Sequence, residues 1–404
     1  MRPLETIRAL AAFERRGPGT DAERRAARRL AGDLMAQRYR VRIETFWCRP
    51  NWALAHAWHV ALAVVGSLLS PSHPTAGAIL LAIALASILM DEMGGISPGR
   101  RLTPERASQN VVVRATAATD TAQATRTRTP LILTANYDAG RTGLVYRDWL
   151  RRPAAFLRNV AGRLAVGWLG CVCIAIAWLL AVAVLRATDH HGSTALGVIQ
   201  LPPTVVLVLG LALLLEAAAA PYGPAANDNA SGAAVAAALV DALATNPPDN
   251  LDLELVLAGA GEGGEIGIRR YLRKRRRELR RARAIVLGVA PCGSGDVHYW
   301  VSDGPLIPLG YARRLRKLAA TQQKAAPMRS RGATPAFPAR ARGLAAIAIG
   351  CLDAHGLAPR SHQPTDSEAT IDEATLERTV EFATFLTTAI NASLASAEPL
   401  ATPA

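Results

Sequence analysis

Residues 251–267 read LDLELVLAGAGEGGEIG, an apolar strand over Leu251–Ala258 that runs into a glycine-rich turn and a helix start. Strand, turn and helix in that order make the repeating unit of an α/β sheet, and the pattern extends outward on both sides. Strands are expected at 39–45, 110–113 and 130–137 upstream, and at 284–289 and 344–350 downstream. Helices are expected over about 21–38, 229–243, 265–283, 311–320 and 371–394. Thr20 followed by Glu23 opens the first with a capping-box spacing. This alternation predicts an α/β fold: a mixed, mostly parallel sheet with helices on both faces.

Four apolar stretches interrupt that pattern. No residue between Arg49 and Asp91 carries a full charge, and Ser70-Pro71-Ser72-His73-Pro74 divides the stretch into a hairpin of two membrane helices. The second half, 75–90, is short for a span of about 20 residues. A third span is expected over 164–185. A fourth is expected over 196–215, with Pro202 and Pro203 near its start, where proline suits a first helical turn. Buried core helices are the alternative, but core helices seldom run this long without a polar face. The expected layout is an N-terminal helix and strand (1–49), a transmembrane hairpin (50–91), the first part of the α/β domain (92–163), a second hairpin (164–219), the rest of that domain (220–395) and a flexible tail (396–404).

Arginines stand on the N-terminal side of the first and third spans and after the second, whereas the turns inside each hairpin hold almost none. The positive-inside rule then predicts an integral protein of the cell membrane with its soluble pieces in the cytoplasm. The charged N-terminus has no apolar core and is not expected to be a cleaved export signal.

The net charge of +14 suits either nucleic acid or an anionic membrane surface. Aromatic residues make up only 5% and are not interleaved with the basic runs, which argues against base stacking and against nucleic acid as a partner. Arg269, Arg270, Arg273, Lys274, Arg275, Arg276, Arg277, Arg280, Arg281 and Arg283 crowd one predicted helix, and anionic lipid headgroups are the expected contact. The five cysteines form no CxxC pair, a pattern of free thiols suited to a reducing compartment.

Polar or glycine-rich strings follow the predicted strand ends, where ligand sites of open α/β sheets gather: LILTANYDAG (131–140), GPAANDNASG (223–232), LVLAGAGEGGEIG (255–267) and PRSHQPTDS (359–367). Taken singly, Asp228 reads as a helix cap, Glu262 as a solvated turn residue and His362 as a loop histidine. Their order and wording together resemble the zinc-dependent aminopeptidase superfamily that also contains the glutaminyl cyclases, with ANDNASG before an Ala-rich helix as the most specific match.

The resemblance implies zinc, with Asp228, Glu262 and His362 as one metal shell, two carboxylates and an imidazole. It places Asp138 at the position that in the family orients the His replaced here by Asn136, while the spacing of Asp366, four residues after His362, suggests it as the acceptor that holds the His362 ring. The second shell is degenerate: Asn136 stands where the family has His, and Ala290 where it has Asp. The position of the general base is Gly261, with Glu265, one turn beyond Glu262, as a weak substitute. At most one zinc is therefore expected, with weak or no aminopeptidase activity. The alternative is a non-catalytic pseudopeptidase that binds a peptide or acts as a membrane scaffold. A channel or transporter, with Glu216 as an ionisable group near a span, is the third reading.

Overall fold

The computed structural model describes residues 2–114, 128–188 and 194–396. It divides into two compact units, one made of Met1–Pro50, Arg106–Thr142 and Pro221–Ala404, the other of Asn51–Glu105 and Gly143–Ala220. The layout expected from sequence gave 92–163 to the α/β domain, whereas 92–105 and 143–163 group with the apolar helices. Polar contacts tie both segments to those helices. Arg100 folds back on Asp91 with Nε to Oδ1 at 2.7 Å, and the Leu144 N–H donates to Glu216 at 3.0 Å. The expected tail lies, beyond Ser396, outside the described residues.

The first unit is built on a nine-stranded sheet. Its strands are β1 (Arg40–Cys48), β2 (Arg106–Arg114), β3 (Thr129–Asn136), β4 (Leu251–Ala258), β5 (Ile285–Val289), β6 (Asp296–Asp303), β7 (Leu309–Gly310), β8 (Ala326–Arg329) and β9 (Ala345–Leu352). The order is β1-β2-β4-β3-β5-β9-β6-β7, with β8 paired to β6. The centre β4-β3-β5-β9 is parallel, while β1 and β2 on one flank and β6 and β7 on the other run antiparallel. The sheet is thus mixed around a parallel core, as the alternating pattern predicts.

Successive side chains of a strand point to opposite faces, and the central strands are apolar on both. Leu131 and Leu133 of β3, with Leu253, Leu255 and Leu257 of β4, pack with the helices Asp21–Ala36, Gly232–Ala244 and Glu373–Ala395. Ile132, Val256 and Val286 face the other way, toward Ile268, Tyr271 and Leu272 of the helix Ile266–Lys274. Helices on both faces bring the C-terminal ends of the parallel strands to one rim, and that rim carries the polar strings.

Two helices depart from expectation. The basic stretch 265–283 is not one helix but two, Ile266–Lys274 and Arg276–Arg281. Arg275 leaves the helical path between them, donating to Glu44 of β1 at 2.5 Å and covering the Tyr271 ring at 4.2 Å. The helix expected from 229 begins at Gly232, after a kinked segment Ala226–Ser231 in which Asp228 and Asn229 are non-helical. β6, β7 and β8 fall in stretches too polar and irregular to read as strands.

Among its described residues the second unit holds four helices long and apolar enough to cross a membrane: Trp52–Leu69, Pro74–Gly94, Trp168–Thr188 and Thr194–Ala219, with mean hydropathy 1.5, 1.8, 2.6 and 2.3. The second is longer than the apolar run 75–90. Its 21 residues rise about 31 Å at 1.5 Å each, because Asp91 near its end is matched by Arg100 and Ser97. Within the first hairpin, a Cβ at Gly77 would stand 2.7 Å from the Gly66 carbonyl oxygen and one at Gly66 3.0 Å from that of Gly77, so the close approach of the two helices depends on glycine at 77 and leaves little room at 66. Pro202 and Pro203 lie inside the fourth helix, not in its first turn. Pro203 has no N–H for the Ile199 carbonyl, and Trp178 Nε1 supplies the missing donor at 3.1 Å.

Candidate functional site

Asp228, Glu262 and His362 come together on that rim. One donor atom from each lies within 4.8 Å of the other two. Nε2 of His362 is 3.3 Å from Glu262 Oε2 and 3.7 Å from Asp228 Oδ2, and all three side chains are mostly shielded from solvent. Each is delivered by a different loop, and each loop is held by its own buried partner.

Asp228 sits in the kinked segment before Gly232. Asp366 accepts the N–H groups of Asn227 at 2.7 Å and Asp228 at 2.9 Å, while Asn227 Nδ2 donates to the Pro359 carbonyl. Its carboxylate accepts from Ser361 Oγ and gives the following helix no cap hydrogen bond, so the helix-cap reading of this residue fails. Asp366 therefore orients the Asp228 backbone, not the His362 ring as the spacing suggested. The ring is fixed by Arg141, whose carbonyl oxygen lies 3.0 Å from Nδ1. An Nδ1–H donated there leaves the Nε2 lone pair facing the two carboxylates, the tautomer a metal ligand needs.

Glu262 is presented by the turn after β4. Asp138 accepts from the N–H groups of Gly261 at 2.9 Å and Glu262 at 3.0 Å, while Glu23 accepts from Ala260 N–H at 2.7 Å. Burial, and next the charge of Asp228, push the Glu262 carboxyl well above its ordinary range. A pocket that gathers two carboxylates and an imidazole nitrogen within 4.8 Å of one another is suited to a cation. Gly140 completes it, since a Cβ there would stand 2.2 Å from His362 Cε1 and 2.9 Å from Glu262 Oε2.

The remaining site residues behave differently. Glu265 is not one helical turn beyond Glu262, because it adopts a left-handed φ of 59° and the helix begins after it. It is buried, and its Oε1 accepts from Asn136 Nδ2 at 3.0 Å. Burial holds this carboxyl well above the ordinary range, and it does not join the donor trio. Asn136 fills the space beside Gly261: a Cβ at 261 would lie 2.1 Å from Asn136 Cγ. Ala290 is buried at the end of β5 and offers no side-chain donor.

Two functional supports escape sequence reading. Arg16 is fully buried and donates through Nε to the Tyr137 carbonyl at 2.6 Å, through Nη2 to Ala225 at 3.0 Å, and through Nη1 to Leu10. Burial lowers its guanidinium to about 10, against the opposing charges of Asp138 and Asp366. Glu23 was legible only as a capping-box residue. Its N–H does bond Thr20 Oγ1 at 3.2 Å, but its carboxylate turns to Gly19 N–H, Ser108 and the Ala260 turn.

These buried acids predict a pH dependence. Burial raises Glu23 from 4.5 to about 8, Asp138 from 3.8 to about 6 and Asp366 from 3.8 to about 7. The folded state then binds more protons than the unfolded chain between about pH 4 and 8, so stability falls as pH rises through that window. Thermal unfolding of metal-free protein in detergent should show a lower Tm at pH 8 than at pH 5. A flat or rising profile would contradict these assignments.

Residues 213–387, which include all three donors, match the model of Peptidase family M28. Among solved structures the chain is similar to an aminopeptidase from Aneurinibacillus sp. strain AM-1, at 13% identity and a TM-score of 0.55 over 96% of this chain and 92% of that one. It is also similar to BSAP, a zinc aminopeptidase from Bacillus subtilis, at 12% identity and a TM-score of 0.54 over 96% and 93%. A leucine aminopeptidase precursor from Bacteroides thetaiotaomicron VPI-5482 gives 12% and 0.50 over 95% of each chain. No curated protein matches by sequence. At such identities the likeness establishes the fold.

Proposed function

We propose that this chain, whose residues 213–387 match the model of Peptidase family M28, is a membrane-anchored, aminopeptidase-type protein with a single zinc site and weak or absent turnover. Asp228, Glu262 and His362 would hold the ion, and the family and the zinc aminopeptidase neighbours support zinc as its identity. The donor set fits: two carboxylates and an imidazole whose Nε2 is directed at them. Asn136 and Ala290 argue against a second tightly held ion, since an amide is a poor zinc ligand and a methyl group is none.

When bound, zinc supplies Lewis acidity toward an amide carbonyl. Asp138, Asp366 and the Arg141 carbonyl keep the three donors aimed at one point. What the site lacks is a group to move the proton. The observation that carries this reading is the Asn136 side chain packed against Gly261, in the place where a base would project. A positioned base is worth roughly a hundredfold to ten-thousandfold in rate. Without one, the pocket serves best to bind a peptide or amine-bearing ligand, and with no turnover at all it is a pseudopeptidase scaffold.

The test is hydrolysis of aminoacyl anilides by purified protein. Gly261→Glu alone should leave the rate at the parent level, because the new side chain meets Asn136. Gly261→Glu combined with Asn136→Ala should raise it by about a hundredfold. Parent turnover abolished by Asp228→Ala but unimproved by the double change would reject the missing-base reading.

We further propose that the four apolar helices span the membrane with the α/β unit in the cytoplasm. There the exposed Arg273, Lys274, Arg276, Arg277, Arg281 and Arg283 would meet anionic headgroups. Arg269, Arg270, Arg275 and Arg280 already bond Gly264, Trp47, Glu44 and Arg342 within the domain and are the less available part of that cluster. Ser72→Cys, in the turn of the first hairpin, should label with an impermeant maleimide from outside intact cells. Labelling only after lysis would overturn the orientation and the headgroup contact together.

A further inference from the structure

The helix Asp148–Ala161 is amphipathic in the inverted sense. Trp149, Phe156, Leu157 and Val160 lie seven, eight and eleven residues along from the first and so share one face. They are 69%, 65%, 66% and 72% exposed, and Leu164, just beyond the helix, is 87% exposed. The residue this helix buries is Ala155, on the other side, and the Arg151 side chain, which pairs with Asp148 at 2.8 Å, is also largely covered. A helix on a water-soluble surface does the opposite, turning its apolar stripe inward.

We propose that residues 148–164 form an in-plane membrane anchor whose stripe lies in the boundary between lipid headgroups and acyl chains. The inference rests on the reading of the four apolar helices as spans. Continuity supports a lipid occupant over a protein one: the stripe ends four residues before Trp168, where a helix of mean hydropathy 2.6 begins, so the same bilayer is within reach of both. The chemistry fits as well. A tryptophan at the start of the stripe suits the headgroup level, and Arg152, with its side chain 54% exposed, can keep its charged end in water while its stem follows the helix.

The test uses the full chain in nanodiscs of phosphatidylcholine with phosphatidylglycerol. Benzoylphenylalanine is incorporated separately at Phe156, at Leu209 within the fourth apolar helix, and at Ile307 on an exposed loop of the α/β unit. After irradiation, mass spectrometry should find lipid adducts at position 156 comparable to those at 209, and none at 307. Lipid adducts at 209 without any at 156 would overturn the in-plane anchor while leaving the spans intact. A covalent dimer through position 156 would overturn it in favour of a second copy as the occupant. Absence of lipid at both 156 and 209 would overturn the spans and the anchor together.

Discussion

Arg16→Met is expected to destabilise the α/β unit by about 3–5 kcal/mol, the cost of removing one partner from a buried charge network. With total stabilities of about 5–15 kcal/mol, that is a large share. The buried Tyr137 carbonyl would lose the donor it takes from Arg16, and those of Leu10 and Ala225, which also accept from the Phe13 and Ala230 N–H groups, would each lose one of two. Asp138 and Asp366, which hold the loops of Glu262 and Asp228, would lose the cation that opposes them. Arg16→Lys should recover part of this, because it restores the charge but not the planar fork that reaches several carbonyls at once. Denaturant unfolding in detergent provides the measurement. A methionine variant as stable as the parent would mean that Arg16 does not organise the site.

Gly140→Ala is expected to weaken zinc binding by about 10- to 100-fold, comparable to losing a group that orients a ligand. Gly140 is not among the left-handed glycines, so the backbone accepts alanine and the effect is steric. The added methyl would overlap the His362 ring and crowd Glu262, displacing both from the common point. Thermal unfolding of the metal-free variant should stay near the parent value while zinc titration by calorimetry shifts. Unchanged affinity would exclude His362 and Glu262 as ligands.

The central strands and their helices were legible because strands buried on both faces leave long apolar runs that glycine and polar strings punctuate. β4 matches its expected bounds, and the Glu262 and His362 strings follow the ends of the parallel strands β4 and β9, whereas the Asp228 string lies between two helices, Thr194–Ala219 and Gly232–Ala244. The supports were not legible. Arg16 lies in an arginine-rich N-terminus where nothing in the spacing separates a buried guanidinium from a solvated one. Glu23 satisfies a local capping pattern at its N–H while its carboxylate serves a turn more than two hundred residues away. Asp366 was read as a ring partner from its distance of four residues to His362, yet chain folding gave that task to a backbone carbonyl at Arg141, which has no sequence signature. The inverted helix at 148–161 was hidden because its arginines and its apolar stripe read equally well in either orientation.

The central claim is that one zinc ion sits between two carboxylates and an imidazole, and the direct measurement is metal content of purified full-length protein by inductively coupled plasma mass spectrometry. The expected result is close to one zinc per chain, lost in both Asp228→Ala and His362→Ala variants and unaffected by Glu265→Gln. Two zinc ions per chain, or zinc retained when Asp228 and His362 are both removed, would contradict it.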